Sequence, residues 1–327
     1  MKAAFYEKTG SAHEVLRLEE VPTPSPAEGE VRVRVNWSGV NPSDVKARAG
    51  LRSKILPFPR IIPHSDGAGV VDQIGEGVPT DRLGEPVWLW NAGWKRPFGT
   101  AAEYVVLPSS QAVPLPPGID PSVGACLGIP ALTAYHATQV DGGVAGKRVL
   151  VSGGAGRVGY YAIQMAKIAG AAQILTTVSS PEKAVVAESA GADVIINYKD
   201  EDAAERVLES TNGYGVDRII EVDLASNIGL DLNIVRSEAA IVVYGSNSEL
   251  IPVPFFASVA KNACLRFFIV YNLSSTARDS AIKDLTNMLE KGILTHNVGI
   301  RLPLEKIADA HTLIEKGFIG NVLLSIE

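Results

Sequence analysis

The chain has 327 residues, a length that favours two domains over a single hydrophobic core. Its hydrophobic fraction of 46% and charged fraction of 20% are typical of a soluble globular protein, and the formal net charge of −6 argues against a surface that binds nucleic acid or an anionic membrane. The sequence shows no secretory signal and no apolar run long enough to span a bilayer. Cys126 and Cys264 lie far apart and are expected to be reduced, so we expect a cytoplasmic protein.

Before Pro121 the pattern is that of short strands joined by proline-containing turns. Val31–Val35 alternates apolar and charged residues like a half-buried strand. Gly67–Val71 and Glu103–Leu107 are shorter strand candidates, and no helical period longer than two turns precedes Pro121. We therefore predict a compact, mostly β first domain.

After Pro121 the pattern changes to alternating helices and strands. Gly128–Ala137 is predicted to be a helix with Pro130 near its first turn. The strand candidates that follow, with helical segments between them, are Val149–Ser152, Gln173–Val178, Val194–Asn197, Val216–Val222, Ala239–Tyr244 and Leu265–Val270. Such alternation predicts a parallel doubly wound sheet. The remaining helix, Thr276–Lys291, and strand, Asn321–Ile326, exceed what that sheet needs, so we expect this tail to return to the first domain.

The stretch Val149–Gly159 joins an apolar run, a glycine-rich turn and the start of a helix. Gly153, Gly156 and Gly159 lie three apart, as in the G-x-x-G-x-x-G variant of a dinucleotide-binding loop. An ordinary strand–helix turn can carry the same glycines. The strand before, the amphipathic helix after and a further strand about 20 residues on favour the dinucleotide site.

The residues after the second strand of this domain indicate the cofactor. NAD-binding proteins usually place an acidic residue there to bind the ribose hydroxyls. Here Ser179 and Ser180 follow the strand and Lys183 lies one turn later, a combination that suits a 2′-phosphate and favours NADPH. Tyr198, at the end of the third strand, is a further candidate contact, whereas Glu182 argues mildly for a free ribose.

Several segments together resemble a known family. They are Gly39–Asp44, Asp66–Val71, Gly99–Tyr104, Gly128–Tyr135, the glycine loop and Leu302–His311. With them the chain resembles zinc-free members of the medium-chain dehydrogenase/reductase superfamily, specifically the NADPH:quinone oxidoreductases of the zeta-crystallin type. The resemblance covers almost the whole chain. It implies an α/β protein with a GroES-like β-rich catalytic domain, residues 1–122 and 276–327, and a Rossmann NADPH-binding domain, residues 123–275, that forms a homodimer or higher homo-oligomer.

The resemblance also implies which residues contact NADPH. The phosphates would meet the loop of Gly153, Ala155, Gly156, Arg157, Val158 and Gly159. The 2′-phosphate would meet Ser179, Lys183 and Tyr198, and the ribose side Asn227, Tyr244, Gly245, Ser246 and Asn247. Phe268, Ile269 and Val270 would lie near the nicotinamide, and Lys46 and Asn321 occupy positions that contact the cofactor in some relatives as tyrosine and lysine.

Zinc-dependent relatives hold a catalytic zinc with a cysteine and a His-Glu pair. Here Asn41 replaces the cysteine, Ser65 and Asp66 replace the pair, and His64 stands in the preceding glycine position. One imidazole with amide and hydroxyl neighbours is a poor zinc site, so no metal is expected. Without zinc an alkoxide is not stabilised, and alcohol dehydrogenation is disfavoured.

A conjugated acceptor that takes hydride without a metal fits best, since its charge delocalises over a carbonyl. NADPH-dependent quinone reduction is the leading function, and reduction of an enone or acrylate-type double bond is the alternative. Asn41, Asp44 and Tyr135 are the candidate catalytic residues, Asn41 as a donor that polarises a carbonyl. Tyr135 is either a proton donor or a packed helix residue.

Two further features leave alternatives open. Trp88, Trp90 and Trp94 either form the wall of a site for a flat ligand, or Trp88 and Trp90 alternate inward as strand core. Some relatives serve as lens proteins or bind RNA, but the acidic balance and the lack of a basic run disfavour that role. The expected partner is therefore a small-molecule quinone or activated alkene, with neither nucleic acid nor membrane.

Overall fold

The computed structural model describes residues 1–326. Their packing divides the chain into two compact units. Unit 1 comprises Met1–Ile129 and the residues from Thr286 onward, and unit 2 comprises Pro130–Leu285. None of the helices in the described part of the chain combines the length and apolar character needed to cross a membrane.

The elements alternate as the sequence predicts. The strands are β1 (Lys2–Phe5), β2 (Arg17–Glu20), β3 (Glu30–Val40), β4 (Asp66–Ile74), β5 (Pro86–Leu89), β6 (Tyr104–Pro108), β7 (Ala112–Pro114), β8 (Arg148–Val151), β9 (Gln173–Val178), β10 (Val194–Asn197), β11 (Val216–Glu221), β12 (Val235–Val243), β13 (Cys264–Phe267), β14 (Val298–Pro303) and β15 (Asn321–Ser325). The helices are α1 (Ala12–Val15), α2 (Pro42–Arg48), α3 (Pro121–Gly124), α4 (Leu132–Gln139), α5 (Arg157–Ile168), α6 (Pro181–Ser189), α7 (Ala203–Ser210), α8 (Leu224–Ile234), α9 (Phe255–Ala260), α10 (Ser275–Glu290) and α11 (Ile307–Glu315).

Unit 1 is built on a seven-stranded sheet in the order β14-β15-β3-β4-β5-β7, with β6 also paired to β3. Val31, Val33 and Val35 of β3 are buried while the arginines between them are more exposed, which confirms the predicted alternation. The C-terminal strand β15 pairs antiparallel with β3. The tail therefore does return to the first unit, as the surplus helix and strand predict.

The packing of α3 explains where unit 1 ends. A side chain at Gly124 would come within 2.7 Å of the Ala68 side chain and 3.0 Å of that of Trp88, so α3 lies directly on β4 and β5. This contact keeps α3 in unit 1, and the division falls at Ile129 rather than after the predicted residue 122. The second division falls inside α10, later than the predicted residue 275.

Unit 2 is a six-stranded sheet in the order β10-β9-β8-β11-β12-β13, and every pairing in it is parallel. In sequence order this is 3-2-1-4-5-6, the doubly wound arrangement. The order reverses at β8 and β11. Ligands of such sheets bind outside the carboxyl ends of the strands at this switch point, next to the glycine loop that follows β8.

Two elements predicted after Pro121 differ from the structure. A π-helical turn, Leu127–Ala131, precedes α4 in place of one continuous helix over Gly128–Ala137. Pro130 lies inside that turn, and because proline has no N–H it cannot continue the α-helical ladder. The sixth strand is shorter than predicted, since residues after Phe267 leave the sheet and form a 3₁₀ turn.

Three positions of the glycine loop require glycine for conformational or steric reasons. Gly153 has a φ of 71°, a conformation that favours glycine. A side chain at Gly159 would lie 2.3 Å from the Gly153 carbonyl oxygen, and one at Gly154 would lie 2.1 Å from Thr176 Oγ1. Close packing of α5 on the loop therefore requires glycine at position 159, as predicted. Gly154 is restricted to glycine by a similar steric contact, which the spacing of Gly153, Gly156 and Gly159 does not predict.

A pair of acidic side chains is buried in unit 2. Glu221 ends β11, and Asp231 lies on α8 with only 1% of its surface exposed. Within the described residues neither carboxyl oxygen of Asp231 has a hydrogen-bond partner. Burial, together with the nearby charge of Glu221, raises the pKa of Asp231 to about 8. Asp231 is therefore neutral in the folded protein at neutral pH.

Replacing Asp231 with leucine is expected to stabilise unit 2 increasingly as the pH rises. An acid whose folded pKa exceeds its usual 3.8 stabilises the fold below about pH 4, and this contribution is lost as the pH rises towards 8. The gain of Asp231→Leu in unfolding free energy should therefore grow between pH 5 and 8, by at most about 1.4 kcal/mol per pH unit, and level off above pH 8. Urea unfolding across this range measures it. Asp231→Asn is the control that removes the titration but keeps a buried polar group, and parallel pH curves for wild type and Asp231→Leu would contradict the prediction.

Substituting Gly154 is expected to damage the fold for a steric reason alone. The methyl group of Gly154→Ala would overlap the buried Thr176 side chain, and such overpacking costs about 1–3 kcal/mol. Gly229 on α8 has open space around its Cα, so Gly229→Ala should raise stability by about 0.5–1 kcal/mol. Thermal unfolding of the two variants compares them directly. Equal effects of both substitutions would show that Thr176 does not restrict the loop.

Candidate functional site

The glycine loop presents the start of α5 at the carboxyl end of β8. Gly153 donates its backbone N–H to Thr177 Oγ1 at 3.1 Å and Gly154 donates to the Thr177 carbonyl at 3.2 Å, which fixes the loop against β9. Gly156 caps α5 and Arg157 is its first residue. The first N–H groups of a helix have no intrahelical acceptor, and they carry the positive end of its dipole. The loop is therefore suited to bind an anionic group, as the pyrophosphate assignment requires.

The three residues predicted around a 2′-phosphate come together at the ends of β9 and β10. Lys183 Nζ donates to Ser179 Oγ at 2.8 Å, and the N–H of Tyr198 donates to the carbonyl of Val178, next to Ser179, at 3.1 Å. A second cation, missed in the sequence, lies here: Lys199 Nζ is 5.3 Å from the centre of the Tyr198 ring.

The residues predicted for the ribose side are held by hydrogen bonds within unit 2. Asn227 Nδ2 donates to Ser152 Oγ at 3.1 Å and to Glu221 Oε1 at 2.9 Å. The backbone N–H of Asn247 donates to Asp223 Oδ1 at 2.7 Å, and a side chain at Gly245 would lie 2.2 Å from the Val222 carbonyl. These contacts bring the segment Tyr244–Asn247 beside the end of β11.

The segment predicted near the nicotinamide follows β13. The N–H of Phe268 donates to the carbonyl of Val243 at 3.1 Å, and its ring centre lies 4.6 Å from that of His136. The carbonyl of Val270 accepts a hydrogen bond from the buried Arg278. The N–H of Phe268 and the carbonyl of Val270 are thus already hydrogen-bonded within the protein. The side chains of Phe268 and Ile269 are half-buried.

Tyr135 has a different environment from that expected of a proton donor to a substrate. Its hydroxyl donates to a carboxylate oxygen of Asp284 on α10. Burial and this contact both raise the pKa of Tyr135. The phenolic proton therefore forms a hydrogen bond to Asp284. This contact favours the alternative that Tyr135 is a packed helix residue.

Unit 1 contains a buried polar cluster at the positions compared with zinc ligands. Asn41 Nδ2 donates to Asp66 Oδ2 at 2.8 Å, and the N–H of Ile129 donates to the same oxygen at 3.0 Å. The N–H of Asn41 donates to Asp44 Oδ2 at 2.8 Å, which caps α2. Asn41, Asp44 and Asp66 are 3%, 8% and 0% exposed.

The pKa values of both carboxyl groups of this cluster are raised above the usual value for aspartate. Burial raises the pKa of Asp44 to about 7. Burial, and then the charge of Asp44, raises the pKa of Asp66 well above its usual value. The described residues hold no group of three or more His, Cys, Asp or Glu side chains arranged to bind a metal ion.

The remaining candidates in unit 1 lie outside this cluster. Lys46 is half-buried on α2, one turn beyond Asn41. Asn321 is 4% exposed and donates its side-chain amide to the carbonyl of Asn297 at 3.0 Å. Trp88 is fully buried in β5, so it is strand core, while Trp90 and Trp94 are half-buried.

Sequence reasoning missed the surroundings of His64. Its imidazole is 2% exposed and bonds Ser38 Oγ at 2.8 Å through Nδ1 and His311 Nε2 at 2.9 Å through Nε2. The two histidines are 247 residues apart in the chain, so no local pattern could show that they pair.

Comparison with known proteins extends over the same two units. Residues 27–117 match the family model of the alcohol dehydrogenase GroES-like domain, and residues 158–290 match that of the zinc-binding dehydrogenase. The quinone oxidoreductase of Rattus norvegicus is 30% identical over 320 residues, which cover 95% of this chain and 94% of the relative. The 2-haloacrylate reductase of a Burkholderia species is 29% identical over 336 residues, covering 99% and 98%.

A solved structure agrees with these matches. The Escherichia coli quinone oxidoreductase complexed with NADPH superposes with a TM-score of 0.89 and 25% identity, and the match covers 100% of both chains. The GroES-like unit and the doubly wound unit are thus shared along the full length. The chain belongs to the medium-chain dehydrogenase/reductase superfamily, where its relatives include quinone oxidoreductases.

Proposed function

We propose that this chain is an NADPH-dependent, zinc-independent reductase of quinones. The observation that carries the proposal is the hydrogen bond between Asn41 and the fully buried Asp66, at the positions compared with the zinc ligands of zinc-dependent relatives. The coarser activity, oxidoreduction with a nicotinamide cofactor, follows from the family itself. The choice of acceptor and of cofactor is what the proposal adds.

The residues of unit 2 fit a nicotinamide dinucleotide. Gly153 has a positive φ and Gly159 packs against the Gly153 carbonyl, which makes the turn tight, and the start of α5 offers N–H donors to a pyrophosphate. The hydroxyl-bearing residues Ser179 and Tyr198 lie with the cationic Lys183 in one group, which suits a 2′-phosphate. When bound, the cofactor supplies a hydride.

The residues of unit 1 supply a hydrogen-bond donor instead of a Lewis acid. Asn41 Nδ2 has two hydrogens, and Asp66 Oδ2 accepts one of them. The other is the donor that we assign to a substrate carbonyl, where it would stabilise the negative charge that develops on the oxygen. The amide, hydroxyl and neutral carboxyl groups of Asn41, Ser65 and Asp66 form a poor zinc site, which supports a metal-independent reaction.

The second candidate function is reduction of an activated carbon–carbon double bond. The similarity to 2-haloacrylate reductase favours it, and a carbonyl conjugated to an alkene would use the same donor on Asn41. Both reactions send charge from the hydride acceptor onto a carbonyl oxygen. The two differ in whether the acceptor is a quinone ring or an alkene.

Homodimer formation stays a prediction, as does the cytoplasmic location. In unit 2 the strand β13 is at the edge of the sheet, and Phe267 on it is 57% exposed. On α9, Phe255 and Phe256 are 69% and 85% exposed. An edge strand and exposed aromatic residues are both features that self-association would cover, which supports the prediction.

A panel of quinones and α,β-unsaturated carbonyls, followed by NADPH absorbance, is the test of the acceptor. We expect turnover of quinones, and we expect Asn41→Ala to reduce kcat by about 10- to 1000-fold, because it removes the donor to the developing oxyanion. Robust turnover of unsaturated carbonyls with none of quinones would favour the second function. An unchanged kcat in Asn41→Ala would contradict the assignment of Asn41 as the donor.

Lys183→Ala tests the preference for NADPH. Loss of a charged hydrogen bond to the 2′-phosphate, worth about 1.5–3 kcal/mol, should raise the KM for NADPH by about 10- to 100-fold. The KM for NADH should change little, since NADH has no 2′-phosphate. Lys183→Arg keeps the cation and is the control. Equal changes in both KM values would mean that Lys183 does not contact that phosphate.

A further inference from the structure

His64 has an unusual backbone conformation. Its φ is 77°, in the left-handed region that favours glycine and that a side chain like histidine rarely adopts. The residue nevertheless lies in the segment that leads directly into Asp66 and β4. Its carbonyl accepts a hydrogen bond from the N–H of Thr100 at 3.1 Å. Strained residues of this kind persist only where surrounding contacts hold them.

The contacts that hold His64 form one directed chain of hydrogen bonds. Thr100 Oγ1 donates to the carbonyl of Asp66 at 2.6 Å, because a carbonyl can only accept. Thr100 has no second proton, so Ser38 Oγ donates to Thr100 Oγ1 at 2.8 Å. Ser38 Oγ must then accept from His64 Nδ1, which carries the proton.

The hydrogen bond between the two rings also determines the tautomer of His311. With its proton on Nδ1, a neutral His64 presents a bare Nε2, so His311 donates from Nε2 at 2.9 Å. The Nδ1 of His311 is then bare, and it is the ring nitrogen without a hydrogen-bond partner among the described residues. Burial lowers the pKa of His64 to about 3 and that of His311 well below its usual value, so both rings are neutral.

The chain of hydrogen bonds ends on the residue that orients Asn41. Thr100 holds the Asp66 backbone, and Asp66 Oδ2 holds the side-chain amide of Asn41. We propose that His64 and His311 are positioning residues, which fix the segment before β4 so that Asp66 holds the Asn41 amide in its donor orientation. The inference deepens the proposed function and rests on the role assigned there to Asn41.

The helix α11 does not depend on His311 for its place. Glu315 on the same helix pairs with the buried Arg48, and Ile307 and Ile314 are buried in the core of unit 1. Substitution of His311 can therefore remove the hydrogen bond while the helix stays docked. Variants of this pair are suited to separating positioning from folding.

The first experiment is nitrogen NMR of histidine- and asparagine-labelled protein. We expect neutral rings, protonated on Nδ1 in His64 and on Nε2 in His311, that do not titrate between pH 5 and 8. In His64→Gly the side-chain amide resonance of Asn41 should shift. Opposite tautomers, titration near the usual histidine pKa, or an unmoved Asn41 resonance would overturn the inference, and none of these readouts needs enzymatic turnover.

The second experiment compares kcat and KM among variants. His64→Gly suits the backbone at this position, so the fold should be kept while kcat falls about tenfold or more and the KM for NADPH is unchanged. His311→Leu should lower kcat similarly, whereas His311→Gln, whose amide can donate to His64 Nε2, should keep it within about threefold. The double variant His64→Gly/His311→Leu should be no worse than either single variant.

Ile314→Ala is the matched control on α11, because it removes buried apolar volume without touching the hydrogen bonds. It should lower the unfolding temperature and leave kcat unchanged well below that temperature. Wild-type kcat in His64→Gly, or an equal loss of kcat in Ile314→Ala, would overturn the positioning role. Failure of the wild type to reduce any conjugated acceptor would instead overturn the proposed function.

Discussion

The carboxyl group of Asp66 is the interaction on which the candidate site of unit 1 depends. One of its oxygens receives both the Asn41 amide and the N–H of Ile129, so two distant segments of the chain meet on a single buried atom. A carboxylate in that position would be costly without a cation, and burial accordingly favours its neutral form. Asn41, Asp66 and Ile129 thus form a network of hydrogen bonds around this carboxyl group, with no cation among them.

The constraint in unit 2 is steric rather than electrostatic. The loop after β8 approaches β9 so closely that Thr176 and the Gly153 carbonyl exclude side chains at Gly154 and Gly159. The same closeness aims the start of α5 at the carboxyl ends of the strands, where the order of the sheet reverses. At the end of β9 the side chains of Ser179 and Lys183 are joined by a hydrogen bond. The loop is therefore shaped by backbone geometry, and side chains vary the surface only at its edge.

The sequence predicted those parts of the molecule that depend on local pattern. The strand and helix order and the glycine-rich turn between β8 and α5 each follow from residues close together in the chain, and the structure confirms them. The π-helical turn at Pro130 was predicted as ordinary helix, because the pattern records the proline but not which ladder it interrupts. The pairing of His64 with His311 and that of Tyr135 with Asp284 join residues far apart, and only the packed fold brings them together. Assignments of individual cofactor contacts stay predictions.

The placement of the tryptophans has a practical consequence. All four, Trp37 with Trp88, Trp90 and Trp94, belong to unit 1, and most of the tyrosines belong to unit 2. Fluorescence excited at the red edge of the absorption band, where only indole absorbs, therefore reports on unit 1 alone. Trp88 is fully buried in the sheet, so its fluorescence should have the short-wavelength emission of an indole in apolar surroundings until the sheet unfolds. A spectroscopist thus has a built-in reporter for one half of the molecule, and can ask whether the two halves melt together or in turn.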